Sequence, residues 1–364
     1  MTKAITLILA LCLLLNIGSL STPPLEIRPH TESGFYLMIP AEELLGMGFA
    51  LGDSVDVKLS NGVTLEDLPL YNGYYVKTDT LMLRASTGSS SVRALIYNGN
   101  DLYTAAGLTE GCTGIITLRE RGKYRDVQES LSMEYTDERA DYADDVRFGN
   151  FREMRGGELT EGLFYRAATP CDPEHNRAAT VSALCEQAGI RCILDLADDA
   201  DALAGYAQNE EIPYWREVYA DGCVLPAKLS YDYRSEDYAK TVCGGLMAMM
   251  EKEGPYLIHC KEGKDRTGFV CLLLETLAGA SIEEIIEDYM VTYDNYYGFD
   301  RESDPIRYDA VVEIGIMDMI SFLQSRADGN AQNALADGVD KYCAMGGLTD
   351  GDIARLKAFL TGKE

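Results

Sequence analysis

Tyr256-Leu257-Ile258-His259-Cys260-Lys261-Glu262-Gly263-Lys264-Asp265-Arg266-Thr267-Gly268 is the stretch on which the fold turns. Its first residues form a short apolar run introduced by Gly254-Pro255, the pattern of a buried strand. From Thr267 to Ala280 the chain is apolar and helix-compatible. Between strand and helix lies a tight loop carrying one thiol, five intervening residues and one guanidinium. A loop that wraps an oxyanion points its backbone N–H groups inward, and the helix behind it adds its positive end. Arg266 closes the loop with a planar fork that matches two phosphate oxygens. Cys260 sits at the base of this cradle, where the same cations and dipoles favour thiolate over thiol. Its expected role is in-line attack on phosphorus to give a phosphocysteine. Thr267 is placed to donate to the sulfur as it leaves. Gly263 permits the sharp turn, and Gly268 a close approach of the helix to the strand.

A buried cysteine before a charged surface turn is the plainer alternative. His259 before the thiol, Gly263 in the loop and Thr267-Gly268 after the guanidinium argue against it.

These residues resemble the cysteine-dependent protein tyrosine phosphatase superfamily, whose signature is His-Cys-x5-Arg-[Ser/Thr]. The form His-Cys-x-x-Gly-Lys-Asp-Arg-Thr-Gly is similar to the bacterial tyrosine/lipid phosphatase branch. The resemblance extends from about Val146 to the C-terminus. It includes Asn150-Phe151-Arg152 with Gly156-Gly157, Leu163-Phe164-Tyr165-Arg166, and Gly189 to Leu196. Ala197 follows Asp195-Leu196 where that branch usually carries Arg. The resemblance implies an enzyme needing no cofactor, catalysed by Cys260, Arg266, Asp265 and Thr267. It assigns substrate binding to His259, Lys261, Glu262, Gly263, Lys264 and Gly268.

Phosphoester cleavage also needs an acid for the leaving oxygen. Asp265 inside the loop is favoured, as in phosphoinositide phosphatases of the myotubularin type. Asp221 and Asp232 compete, in the Tyr219-to-Tyr233 stretch where tyrosine phosphatases carry a mobile acid loop, here without Trp-Pro-Asp. Lys261 and Lys264 add two cations, which suits a polyanion such as an inositol phosphate or phosphoinositide; solvated surface charge is the plainer role for both.

The chain has 364 residues, enough for two domains. Residues 1–21 have the Lys3, apolar-run and small-residue pattern of a cleaved signal peptide, implying a secreted or cell-surface protein; an uncleaved anchor is the competing reading. Residues 22–130 read as a small all-β domain, a barrel or sandwich. Strand-like runs there are Phe35–Ile39, Ser54–Leu59 and Gly114–Leu118, with a hairpin turn at Ser60-Asn61-Gly62. Tyr71, Tyr74 and Tyr75 suggest either a carbohydrate or peptide ligand, or packing against the second domain. Residues 131–145 read as an acidic linker. Residues 146–364 read as the α/β phosphatase domain, a central sheet flanked by helices with the phosphate loop at a strand end. Helices are expected at Ala178–Ala188 and Glu236–Glu251, with a strand at Cys192–Leu196. Ser281 to Glu284 is a capping box, and Thr349 starts a last helix.

The formal net charge is −27, which disfavours nucleic acids and anionic membranes as partners. The three histidines share no metal-ligand spacing, so no metal site is expected. Ten cysteines without a Cys-x-x-Cys pair look like small buried hydrophobes around one reactive thiol. The substrates that the resemblance implies are phosphotyrosine proteins or phosphoinositides. The alternatives are a catalytically silent phospho-ligand module and another Cys-x5-Arg enzyme of rhodanese or arsenate reductase type.

Overall fold

The structure is a computed structural model that describes residues 20–30, 33–329 and 331–363. The expected signal segment falls almost wholly outside the described residues. No described helix is long and apolar enough to cross a membrane. The chain divides into two compact units, 1–132 and 133–364.

In the first unit, alternating apolar residues bury one face of each strand, and the sheet closes on itself. Its strands are β1 (Leu25–Pro29), β2 (Phe35–Leu37), β3 (Ser54–Leu59), β4 (Thr64–Tyr71), β5 (Leu81–Arg84), β6 (Val92–Ile96) and β7 (Thr113–Glu120). They form a closed barrel in the order β1-β2-β6-β5-β4-β3-β7. All pairings are antiparallel except β4 with β5. The Ser60-Asn61-Gly62 turn joins β3 to β4, with Gly62 in the left-handed region at φ 93°. Phe35, Leu37, Leu44, Val55, Val57, Leu68 and Ile116 fill the barrel. The unit is not wholly β: short helices at Ala41–Gly46, Leu102–Ala105 and Arg125–Leu131 accompany the barrel. Tyr71, Tyr74 and Tyr75 gather in a second small core with Val76, Met82, Leu95 and Tyr124. Tyr74 stacks on Tyr97 and its hydroxyl receives Arg84 and Arg93. These rings are thus engaged within the first unit.

The second unit is built on five strands: β8 (Arg152–Glu153), β9 (Phe164–Ala167), β10 (Cys192–Asp195), β11 (Val224–Pro226) and β12 (Tyr256–His259). Their order is β11-β10-β12-β9-β8, parallel except for β8 at the edge. Every residue of β10 and β12 is buried, as expected for parallel strands covered on both faces. The helices Ala178–Gln187 and Glu236–Met250 lie within one residue of the expected bounds. Both reciprocal bonds of the capping box at Ser281 and Glu284 are present, and that helix runs on to Tyr297.

Residues 133–145 are not a free linker. Arg177, wholly buried, lies under Phe148, Tyr296, Tyr135 and Tyr142 at 4.4–5.3 Å from their ring centroids. Asp137 pairs with Arg177 at 3.4 Å and with His175 at 3.1 Å. The segment carries few aliphatic residues, but its tyrosines and Asp137 give it a cationic anchor.

Candidate active site

The loop leaves the carboxyl end of central β12 and enters the helix Asp265–Leu277. Parallel neighbours β9 and β10 bring their own carboxyl ends to the same place, so residues just past 167 and 195 crowd the loop. Thr169 N–H donates to Lys261 O at 3.0 Å, and Leu196 N–H to His259 O at 2.9 Å. Cys260 is 3 % exposed at the loop's base. Gly263 has φ +68°, and a Cβ there would stand 2.2 Å from Ala167 O, so only glycine fits. Gly268 has a different close neighbour from the one expected: a Cβ would meet the ring of Tyr289, on the following helix, at 2.8 Å.

Arg266 is 9 % exposed. Nη1 makes two long contacts, to Leu196 O at 3.5 Å and Leu229 O at 3.4 Å, and the guanidinium lies 4.9 Å from the Tyr231 ring centroid. Tyr231 is itself 70 % exposed. The arginine is thus oriented by carbonyls and a ring rather than neutralised by a carboxylate. Thr267 Oγ1 is buried without a hydrogen-bond partner among the described residues, which leaves its hydroxyl unspent.

Other expected substrate contacts are placed differently. His259 is wholly buried, with Nδ1 3.1 Å from Cys260 O and Nε2 3.5 Å from Asp195 Oδ2. It therefore braces the loop from behind. Lys261 turns to Asp172, to both oxygens of Asp198 at 3.1 Å and to Tyr206 at 3.2 Å. Lys264 pairs with Glu262 at 2.9 Å. Asp172, Asp198, Tyr206 and Tyr231 escaped the sequence reading. Asp198 had a detectable signal, since it lies three residues past a buried strand parallel to β12.

Of the three candidate acids, Asp221 ends the helix Pro213–Ala220 and precedes β11, at the amino end of the sheet, away from the loop. Asp232 follows β11 at the correct end, one residue past Tyr231; it is exposed and accepts from Arg234 N–H at 3.2 Å. Asp265 stands at the first turn of its helix, open to solvent on one side and surrounded by protein on the others. Burial by the surrounding protein raises its carboxyl above the ordinary aspartate value; Glu262 adds to this, against the pull of Lys264 and Arg266. That direction suits a proton donor.

A buried charge cluster supports the loop from below. Asp288 takes Arg152 Nε at 3.1 Å and Arg166 Nη1 at 2.5 Å, and Arg166 Nη2 donates to Gly263 O at 3.0 Å. Beside them Glu275 is 1 % exposed, and burial and Asp288 push its carboxyl well up. Native Glu275 thus keeps its proton at pH values where the unfolded chain has lost it, so stability falls as pH rises above the ordinary glutamate value. Glu275→Gln is expected to raise Tm at pH 7 by about 2–4 °C and to leave it unchanged near pH 4, by calorimetry at both pH values. An equal shift at both would remove titration as the cause.

Among the described residues, one group of three possible metal ligands comes together: Cys171, Asp195 and His259, all buried. Asp195 accepts N–H from Ala197 at 2.8 Å and Asp198 at 3.1 Å, and Cys171 Sγ lies 3.8 Å from its other oxygen. Burial, then Asp195, hold the Cys171 thiol well above its usual value, so it is a protonated donor to that oxygen. The trio orders the turn after β10.

The model of the tyrosine phosphatase family matches residues 147–362, more than half of the chain. A tyrosine-protein phosphatase of Nostoc commune is 39 % identical over 54 residues, 15 % of this chain. The chain spans only 18 % of that relative's length. Among solved structures, P. aeruginosa TpbA in complex with pTyr aligns at 18 % identity over 51 % of this chain and 90 % of its own, with a TM-score of 0.29. The core catalytic domain of the PP-IP phosphatase SIW14 from S. cerevisiae, in complex with citrate, aligns at 19 % over 48 % of this chain and 91 % of its own, with a TM-score of 0.28. By the match over residues 147–362, this chain belongs to the tyrosine phosphatase family.

Proposed function

We propose that this is an exported phosphatase that hydrolyses phosphotyrosine on proteins through a phosphocysteine on Cys260. The observation that carries the reading is Arg266, buried at the loop's end with no carboxylate partner among the described residues and flanked by the exposed ring of Tyr231. An arginine held by carbonyls keeps its full charge for phosphate, and the ring offers an apolar face to the phenyl group of the leaving phenol. In the proposed reaction, Cys260 Sγ attacks phosphorus, the P–O bond to the phenol breaks, and Asp265 supplies the phenol's proton. Water then attacks the phosphocysteine, Asp265 takes its proton, and orthophosphate leaves with the thiolate restored. Export rests on Lys3 and the apolar run that follows it.

Phosphoinositides are the second substrate class. With Lys261 and Lys264 each joined to a carboxylate, the loop offers them little charge beyond Arg266. The test is phosphate release, without added metal, from p-nitrophenyl phosphate, phosphotyrosyl peptides and phosphoinositides. Vanadate-sensitive turnover with the peptides ahead of the lipids is expected. No turnover of any substrate would sink the enzyme reading, and lipid preference would reverse the substrate assignment.

A further inference from the structure

A residue outside the family match, Tyr135, reaches into the phosphate loop. Its hydroxyl donates to Glu262 Oε1 at 2.7 Å, while the other oxygen of Glu262 pairs with Lys264 Nζ at 2.9 Å. The Tyr135 ring is fixed from several sides: by Tyr296 at 4.7 Å, Tyr297 at 5.9 Å and the Arg177 guanidinium at 5.2 Å. Tyr297 in turn brings its hydroxyl within 3.5 Å of Lys264 Nζ. Burial raises the Tyr135 phenol, and so keeps it a donor. Burial also works against ionised Glu262, but Lys264 and Tyr135 more than offset it and hold the carboxyl below its ordinary value. Lys264 stays charged, well above the ordinary lysine range, because Asp265, Tyr293 and Glu262 outweigh its burial. The pair is therefore two full charges cancelled in place.

We infer that Tyr135 and Glu262 are specificity-determining residues: together they neutralise Lys264 and so tune the site to a single phosphate group instead of a polyphosphorylated substrate. This rests on the phosphatase reading above and deepens it. Glu262 occupies one of the two variable positions of the His-Cys-x-x-Gly-Lys-Asp-Arg signature, where the chemistry of attack constrains nothing. Tyr135 precedes the matched residues 147–362. A carboxylate locked beside the loop lysine cancels its pull on extra phosphates and repels them directly, an effect that acts on specificity more than on the reaction.

The test compares Glu262→Gln and Tyr135→Phe with the wild type on a phosphotyrosyl peptide and on inositol hexakisphosphate. The ratio of kcat/KM for the polyphosphate to that for the peptide should rise about tenfold in Glu262→Gln and less in Tyr135→Phe, shrinking as salt screens Lys264. Adding Lys264→Met to Glu262→Gln should abolish the gain. Calorimetric binding of inositol hexakisphosphate should tighten in the same order, and it needs no turnover. A wild type inert towards p-nitrophenyl phosphate would count against the enzyme reading, leaving the binding series to decide this one. Equal losses on both substrates, or an unchanged ratio with unchanged binding, would overturn the inference.

Discussion

Cys260→Ser is expected to lose turnover by on the order of 10⁴- to 10⁶-fold while still binding phosphate, the loss typical of removing a nucleophile. The sulfur differs from the oxygen that replaces it in how readily it ionises, not in where it sits. The cradle is a property of the backbone: Gly263 at φ +68°, Arg166 fixing Gly263 O, and the helix beginning at Asp265. None of these touches the substituted atom. Orthophosphate should therefore titrate the variant with a Kd close to that of the wild type, while phosphate release from p-nitrophenyl phosphate disappears. Joint loss of binding and turnover would mean that the thiol holds the loop's shape. Near-wild-type turnover would remove Cys260 as nucleophile and sink the phosphocysteine mechanism.

The loop was legible because its constraints are local. A buried strand, a left-handed glycine and a helix start are each written within a few residues, and their spacing follows from the anion they enclose. The pairing of Lys261 was not legible in the same way. Asp172 and Asp198 lie 89 and 63 residues away in the chain, and only the order of β9, β12 and β10 brings them to the loop. A lysine read from its neighbours in sequence looks free, whereas the topology supplies it with two carboxylates. The same reasoning explains residues 133–145. Local composition marked them as solvated, but Arg177 and Tyr296, far away in sequence, give their rings a place to bury. In the first unit the alternation of buried residues disclosed strands and one hairpin. Closure into a barrel depends on β1 meeting β7, a pairing that no local pattern encodes.

Asp265→Asn is expected to cut kcat by ~10²–10⁴-fold on substrates with poor leaving groups, the usual worth of a general acid. The loss on p-nitrophenyl phosphate should be much smaller, because its leaving group needs little protonation. The geometry sharpens this comparison. Asp221 lies beyond the amino end of β11, so Asp221→Asn should leave both substrates untouched. Asp198 is at the correct end, but both its oxygens face Lys261 at 3.1 Å; its loss should weaken the two substrates alike by freeing that lysine. The contest is then between Asp265 and Asp232. Asp232 neighbours Tyr231, whose ring lies against Arg266, so closure of that loop would bring it towards the leaving group. Asp265 has a carboxyl that the surrounding protein keeps protonated to higher pH than an ordinary aspartate. If it is the acid, the alkaline limb of kcat/KM for phenyl phosphate should reflect its raised pKa and flatten in Asp265→Asn. The deciding measurement is the loss on phenyl phosphate divided by the loss on p-nitrophenyl phosphate, for Asp265→Asn and Asp232→Asn. A ratio well above one for Asp265→Asn alone places the acid inside the loop. A ratio near one there, with a large one for Asp232→Asn, moves it to the segment after β11 and leaves Asp265 as an anchor for Arg266.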